Sequence, residues 1–263
     1  MELIDIKPEI EKLPGGWEPN FAINLNHSND IGNTVSFEGI HIFQNLLSSD
    51  ECDEIVKQFM QSPNFEKVSI QGRKDVPDDR IGSIRTTAWC PQFAKELWDK
   101  KISSVIFKNE TFTRFSPTDW WQDNNGNQIK PKKRTYKTIG VSPMMRFMKY
   151  EKDGQHYAHY DAAYIYPNDK FRTLYSMVIY LTTNDLGGST RFIYDSQYNV
   201  NIWERNHDDW TREAVLDEVL FSSKPVKGNV LIFPHRMCHD VEKYFGDAPR
   251  IIIRGDILFE LIS

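Results

Sequence analysis

The sequence predicts an α+β fold, in which helices near the start of the chain pack on one outer face of a β-sandwich or barrel. Three observations lead to this prediction. The helical patterns fall in the first half, strand patterns follow at short intervals after Met144, and 40% of the 263 residues are hydrophobic, enough for a sizeable core. No internal repeat and no Gly/Ser-rich or Pro-rich linker divides the chain. We therefore expect one domain over residues 36–263, preceded by an irregular lead-in over residues 1–35.

The first predicted helix has a clear start signal. Ser48 is followed three residues later by Glu51, which is the spacing of a capping box. An apolar face at helical spacing follows, formed by Cys52, Ile55, Val56, Phe59 and Met60. A second helix is predicted over Gln92–Phe107. A short strand is predicted at Phe37–Phe43. The polar stretches Asn64–Ser83 and Pro117–Lys137 are predicted to be loops, the first with room for a strand near Val68.

The second half of the chain reads as a series of strands. These segments alternate in polarity or are rich in β-branched and aromatic residues, and turn residues separate them. The predicted strands are Met145–Tyr150, Leu174–Thr182, Thr190–Tyr194, Val219–Ser222, Asn229–Phe233 and Ile251–Phe259. Between two of them, the acidic and aromatic insert 199–217 is long enough to be an active-site lid.

Composition and charge exclude several classes of protein. The net charge of −5 gives no Lys/Arg excess for general binding to nucleic acid. No apolar run is long enough to cross a bilayer, and the first residues lack the basic and apolar regions of a secretory signal. The three cysteines are too few and too scattered for a disulfide framework. We expect a cytoplasmic protein that interacts with neither nucleic acid nor membranes.

The most informative residues are a histidine and a carboxylate two positions apart. On a strand, His159 and Asp161 would point to the same face, and together they are two parts of a 2-His-1-carboxylate triad that binds non-haem Fe(II). The spacing alone is weak evidence, because His-x-Asp also occurs on polar surface strands. His156 would face the opposite side of the strand. A third ligand could come from His235 or His239, which follow a buried strand.

An arginine at the start of the last strand suggests an anion site. Arg250 opens an Ile-Ile-Ile run, and burying its guanidinium is costly unless an anion meets it. The planar fork of arginine suits a carboxylate. Alternation places Arg254 on the same face, so either arginine could reach inward, and a strand-end arginine could instead extend to solvent.

These residues resemble the 2-oxoglutarate- and Fe(II)-dependent dioxygenases, in particular the prolyl 4-hydroxylase-like branch. The resemblance extends over about Phe37–Phe259 and rests on the order of four motifs: LLSSDECDEIV, KYEKDGQHYAHYD, YLTTNDLGGSTRF and GNVLIFP…CHDV…R. Two positions depart from the family pattern. Ser189 replaces the usual Glu of Gly-Gly-Glu-Thr, and the basic residue is Arg250 rather than Lys, one residue further from the histidine than in the family pattern.

The resemblance implies a double-stranded β-helix, or jelly-roll, with N-terminal helices packed on one sheet. It implies Fe(II) bound by His159, Asp161 and His239, with His239 preferred to His235 because His-x-Val follows the family pattern. Arg250 would bind the distal carboxylate of 2-oxoglutarate. The same cosubstrate would be hydrogen-bonded by Tyr150 and Thr190.

The implied activity is an O2-dependent hydroxylation of an unactivated C–H, with release of succinate and CO2. The substrate would be amino-acid-like: a free amino acid, a peptidyl residue or a small metabolite. Two other classes of protein are compatible with the histidines. They are a cupin-like metal-binding β-sandwich and a non-catalytic sensor, neither of which would use 2-oxoglutarate.

Overall fold

The computed structural model describes residues 25–26, 34–61, 65–67, 80–104, 111–115, 133–166, 170–196 and 212–262. Thirteen strands lie within these ranges. They are β1 (Thr34–Phe37), β2 (Ile40–Phe43), β3 (Glu66–Lys67), β4 (Arg80–Trp89), β5 (Thr111–Phe115), β6 (Lys133–Val141), β7 (Met144–His159), β8 (Phe171–Tyr180), β9 (Thr190–Ile193), β10 (Val219–Ser223), β11 (Val230–Pro234), β12 (His239–Val241) and β13 (Arg250–Leu261). The helices are α1 (Ser49–Phe59) and α2 (Pro91–Leu97), with a π-helical turn at Trp98–Ile102 and a 3₁₀ turn at Leu216–Glu218.

The strands form the two layers of a jelly-roll, which confirms the expected fold class. The major layer has the order β1-β2-β11-β8-β13-β7, and the minor layer has the order β7-β12-β9-β10, with every listed pair antiparallel. The 16-residue strand β7 belongs to both layers, because its first half pairs with β13 and its last residues pair with β12. Strand β4 extends the sheet beside β7, and β6 pairs with the end of β13.

Alternation along the major layer produces two apolar cores. On β13, Ile251 and Ile253 point to the outer face, where they join the core formed with the two helices. Ile252, between them, points inward to the second core, between the two layers. Tyr150 and Phe192 also belong to this inner core, one from each layer. The helices therefore cover only the outer face of the major layer, and the space between the layers is left for the site.

The predicted helices are present, with changes at their ends. Helix α1 begins at the predicted N-cap, where the Ser48 hydroxyl accepts from the Glu51 amide and the Glu51 carboxylate accepts from the Ser48 amide. The second helix is α-helical only to Leu97 and continues as the π-helical turn to Ile102. The end of the predicted helix, 105–107, lies outside the described residues.

Other predictions were wrong in detail. The single strand predicted at Phe37–Phe43 is a hairpin of β1 and β2, because Glu38 and Gly39 both have positive φ (45° and 87°), as a two-residue hairpin turn requires. The predicted loop Asn64–Ser83 contains β3, close to the strand expected near Val68, and also the start of β4 at 80–83. The predicted loop Pro117–Lys137 contains the start of β6 at 133–137.

Two predictions fall largely outside the part of the chain that the structure describes. They are the lead-in 1–35, of which residues 25, 26, 34 and 35 are described, and the insert 199–217, of which only 212–217 are described. The domain division therefore stays a prediction. None of the helices in the described ranges is long and apolar enough to span a membrane.

Candidate metal centre and anion pocket

The three predicted metal ligands lie together between the layers. One donor atom from each of His159, Asp161 and His239 can be chosen so that all three lie within 4.8 Å of one another. His159 ends β7, His239 begins β12, and the two are direct cross-strand partners. Asp161 follows β7 by two residues, and its amide donates to the carbonyl of His235 at 3.2 Å. The junction of β7 and β12 thus brings together residues from distant parts of the sequence.

Both histidine rings are oriented by the backbone. Nδ1 of His159 lies 2.8 Å from the Tyr157 carbonyl oxygen, and Nδ1 of His239 lies 2.9 Å from the Met237 carbonyl oxygen. Because a carbonyl only accepts, each Nδ1 carries the proton and each Nε2 keeps a free electron pair. The Nε2 atoms face the Asp161 carboxylate, at 4.0 Å for His159 and 3.7 Å for His239. Two imidazole nitrogens and one carboxylate oxygen match the donor set of a non-haem Fe(II) site.

The electrostatics of the triad favour the protonation states that bind metal. Burial lowers the pKa of His159 well below its usual value, and the neighbouring histidines lower it further. Burial also lowers the pKa of His239, although Asp161 opposes the shift. For Asp161, burial raises the pKa, but Arg254 and the surrounding histidines outweigh it and hold the pKa well below its usual range. The histidines are therefore neutral and the carboxylate is ionised at neutral pH.

The position of His156 differs from the prediction. In the pairing of β7 with β12, His239 faces His159 but Val241 faces His156, so Tyr157 and Ala158 together face one residue of β12. This β-bulge shifts the alternation by one residue. The side chain of His156 therefore lies on the same side as His159, and the two rings stack with centroids 3.7 Å apart.

A polar network surrounds Asp161. Arg254 donates to Asp161 Oδ2 at 3.0 Å and to the Ser176 hydroxyl at 3.0 Å, and Ser176 in turn donates to Asp161. Arg254 also donates to Asp256, which lies 3.0 Å from His235 Nε2 as well. His235 is thus held by Asp256 and lies outside the triad. These contacts fix the orientation of the Asp161 carboxylate.

Arg250 has very different surroundings from Arg254. Its side chain is 0% exposed, and Nε, Nη1 and Nη2 have no hydrogen-bond partner among the described residues. The guanidinium carbon lies 4.7 Å from the ring centre of Tyr150, its cross-strand partner, and 5.8 Å from that of Tyr180. A buried cation without a hydrogen-bonding partner is costly, and a carboxylate would satisfy it.

The other predicted cosubstrate residues lie around this guanidinium. Tyr150 contacts Arg250 through its ring, and Thr190 is connected to the pocket by the hydroxyl of Tyr180, which donates to Thr190 Oγ1 at 2.9 Å. Gly188 closes the pocket on another side, since a Cβ at this position would lie 2.8 Å from Arg250 Cδ. Sequence reasoning missed Tyr180 and Gly188. The Gly-Gly pair before Thr190 was the available signal for a close approach of the backbone.

Comparison with known families agrees with this geometry. Residues 145–255 match the family model described as the 2OG-Fe(II) oxygenase superfamily. This segment is similar to a 2OG-Fe(II) oxygenase domain. It contains the whole triad and both arginines, and the superfamily uses the expected Fe(II), 2-oxoglutarate and O2. No curated protein sequence matches the chain.

Solved structures of similar fold include oxygenases with different reactions. The α-ketoglutarate-dependent carbocyclase SnoK from nogalamycin biosynthesis is 12% identical, with 84% of this chain and 79% of that chain covered and a TM-score of 0.53. A Pseudomonas putida prolyl-4-hydroxylase is 14% identical over 83% of this chain and 91% of that chain, with a TM-score of 0.48. A Trichoplax adhaerens prolyl hydroxylase is 19% identical over 84% of each chain, with a TM-score of 0.49. At these identities, the comparison with SnoK shows a common fold alone.

The residues of the site fit the groups that the matching superfamily uses. The triad offers two neutral imidazoles and one ionised carboxylate within coordination reach of a single ion. The three buried nitrogens of Arg250 that have no hydrogen-bond partner in the described residues offer the matching site for a carboxylate. Metal site and anion pocket lie along the same inner face, because Arg250 and Arg254 are four residues apart on β13 and Arg254 contacts Asp161.

Proposed function

We propose that the oxygenase hydroxylates an unactivated C–H of an amino-acid-like substrate and releases succinate and CO2. In this proposal His159, Asp161 and His239 hold Fe(II), and Arg250 binds the distal carboxylate of 2-oxoglutarate. Bound iron with 2-oxoglutarate and O2 supplies the oxidising chemistry. The chain binds and orients these groups and keeps water out.

The proposal rests on the surroundings of the Arg250 guanidinium. The structure describes a fully buried guanidinium whose three nitrogens have no hydrogen-bond partner in the described ranges, beside two tyrosine rings. A cupin-like metal protein or a sensor that does not use 2-oxoglutarate would have no use for such a costly pocket. A cosubstrate with a second carboxylate, remote from the metal, explains it.

Each residue around the site has a definite task in this scheme. The carbonyls of Tyr157 and Met237 keep Nε2 of the two histidines directed at the metal position. Arg254 and Ser176 hold one oxygen of Asp161, which leaves the other oxygen directed toward His159. On the cosubstrate side, Tyr150 and the Tyr180–Thr190 hydrogen bond shape the pocket around Arg250.

The test compares Arg250→Met with Arg172→Met. Arg172 is also 0% exposed and lies 5.2 Å from the ring of Tyr136, so it is a matched buried arginine at the opposite end of β8 from Tyr180. Binding of 2-oxoglutarate is followed under anaerobic conditions by the visible charge-transfer band of its Fe(II) chelate. We expect Arg250→Met to weaken binding by roughly two to three orders of magnitude, because the loss of a buried charge partner costs about 3–5 kcal/mol. Arg172→Met should keep the wild-type affinity.

A second measurement separates a ligand-binding arginine from a structural one. Without cosubstrate, a guanidinium with unsatisfied donors destabilises the fold, so Arg250→Met should unfold at an equal or higher urea concentration than wild type. Lysine at position 250 should restore only part of the affinity for 2-oxoglutarate, because an ammonium group lacks the planar pair of donors that a guanidinium offers to a carboxylate. Wild-type affinity in Arg250→Met would refute the assignment. Absence of the charge-transfer band in the wild-type protein would refute the proposed function itself.

A further inference from the structure

Two arginines face each other beside the metal centre. Arg146 on β7 and Arg254 on β13 are direct cross-strand partners. Like charges in this position repel, unless an acid lies between them. Asp256 fills that role, with Oδ1 2.5 Å from Nη1 of Arg254 and Oδ2 3.4 Å from Nη1 of Arg146. The Asp256 carboxylate therefore forms ion pairs with both guanidinium groups.

The two arginines differ in their access to solvent. The side chain of Arg254 is 11% exposed, while that of Arg146 is 29% exposed and has one long contact with Asp256. Arg146 is thus the member of the pair that a molecule entering the site would meet. Burial lowers the pKa of Arg146, and repulsion by Arg254 and by Arg85 on β4 lowers it further, while Asp256 and Asp161 oppose the shift.

The charge balance changes when the metal site is filled. Without metal, the two positive charges of Arg146 and Arg254 are matched by the two negative charges of Asp161 and Asp256. With a divalent ion bound, Asp161 and the carboxylate that chelates the metal neutralise the ion, and the distal carboxylate neutralises Arg250. Asp256 is then the sole counter-charge for Arg146 and Arg254 within this group. One positive charge is left, at the arginine that is open to solvent.

We propose that Arg146 binds a carboxylate of the substrate, so that the substrate is a carboxylate-bearing molecule. The inference rests on the proposed function and specifies its substrate class. A carboxylate carries the single negative charge that the site lacks, and its two oxygens suit a guanidinium. Arg146 contacts Asp256, Asp256 contacts Arg254, and Arg254 contacts the metal ligand Asp161. A substrate carboxylate bound by Arg146 would therefore lie beside the metal position.

The test uses acetate and its neutral isostere acetamide as probes. The protein is loaded with Zn(II) and saturating 2-oxoglutarate, so that the pocket at Arg250 is filled, and the arginine Nε–H signals are followed by NMR. We expect acetate to shift the Arg146 signal, with an affinity at least about tenfold higher than that of acetamide. Arg146→Gln should lose this difference, and Arg146→Lys should keep part of it. The matched control Arg212→Gln removes an arginine that is paired with Glu218, and should bind acetate as wild type does.

The outcomes distinguish this inference from the proposed function. Equal binding of acetate and acetamide, or unchanged acetate binding in Arg146→Gln, would overturn the inference. Tighter binding of inorganic phosphate than of acetate at Arg146 would overturn the choice of a carboxylate. A separate titration of the Zn(II)-loaded protein with 2-oxoglutarate, before acetate is added, reports on the proposed function, because 2-oxoglutarate should shift the Arg250 signal.

Discussion

His156 and His159 stack face to face across the β-bulge in β7, with ring centroids 3.7 Å apart and planes 22° from parallel. His156 is buried, and the ring centroid of His239 lies 4.2 Å from that of His159. The His159 ring therefore contacts two other imidazoles, and its orientation is fixed by packing as well as by the bond from its Nδ1.

We expect this stacking to contribute to metal affinity. His156→Ala removes the stacked ring and should weaken Mn(II) or Fe(II) binding by about ten- to a hundredfold, the usual effect of losing an outer partner of a metal ligand. His156→Phe keeps an aromatic ring and should lose much less. Metal affinity is measured by calorimetry under anaerobic conditions. Equal losses in the two variants would show that the imidazole itself, and not its stacking, is needed.

The choice between His239 and His235 can be tested by metal binding and stability together. His239→Ala and Asp161→Ala should abolish stoichiometric metal binding and catalysis and leave the fold intact. His235→Ala should still bind one metal ion, but should unfold more easily by about 1–3 kcal/mol, because it removes one buried hydrogen bond to the Asp256 carboxylate. Metal analysis and urea denaturation give the two quantities. A His235→Ala protein that binds no metal would contradict the assignment.

Much of the fold was predictable because the strands after Met144 carry a regular polarity pattern. His159 and Asp161 were found from their spacing, and Arg250 from its place beside an isoleucine run. The resemblance to the family then selected His239. The structure adds what residue spacing cannot give, namely which side chains from distant strands meet.

The points that the sequence did not predict have physical reasons. The bulge reverses the alternation at His156, and nothing in the local sequence announces it, because bulges depend on the partner strand. The roles of Arg250 and Arg254 could not be separated, since both lie on one face of β13. Their difference arises from Asp161 and Asp256, which meet Arg254 only in the folded protein.

Gly188 offers a test of the anion pocket that leaves the metal ligands untouched. It has φ of +75°, and a Cβ there would lie 2.8 Å from Arg250 Cδ. We expect Gly188→Ala to weaken 2-oxoglutarate binding by tenfold or more and to destabilise the protein by about 1–3 kcal/mol through backbone strain. Fluorescence-detected urea denaturation and the Fe(II) chelate band report the two effects.

The neighbouring glycine is the matched control. Gly187 also has positive φ (82°), but a Cβ there would meet the Lys243 carbonyl at 2.2 Å instead of Arg250. Gly187→Ala should therefore be destabilised at least as much, with a smaller change in cosubstrate affinity in the folded fraction. If both variants lose affinity equally, the effect is a general loss of structure and not contact with Arg250.

Acid should weaken the network around Asp256. Burial raises the pKa of this carboxyl, but Arg254, His235 and Arg146 lower it from 3.8 to about 2. A carboxyl with a lowered folded-state pKa stabilises the fold above its unfolded pKa, and this contribution is lost as the pH falls toward the folded value. The shift of roughly two units corresponds to about 2–3 kcal/mol.

Asp256→Asn isolates this contribution. The difference in unfolding free energy between wild type and variant should be constant from pH 7 to about pH 5, and should shrink by that amount as the pH falls through 3.8 to about 2. Urea denaturation at each pH measures it, and effects of other acidic groups cancel in the difference. A difference that does not depend on pH would show that the charge of Asp256 is not what stabilises the network.

Strand β13 pairs with β6, β7 and β8, and it brings Arg250, Arg254 and Asp256 to residues about a hundred positions earlier, such as Tyr150 and Asp161. These long-range pairings are slow to form, because a large loop must close first. During synthesis, iron that reaches the chain early would meet His159 and Asp161 before their partners are in place. Maturation of the oxygenase should therefore be ordered in time, with iron loading after the last strand has docked.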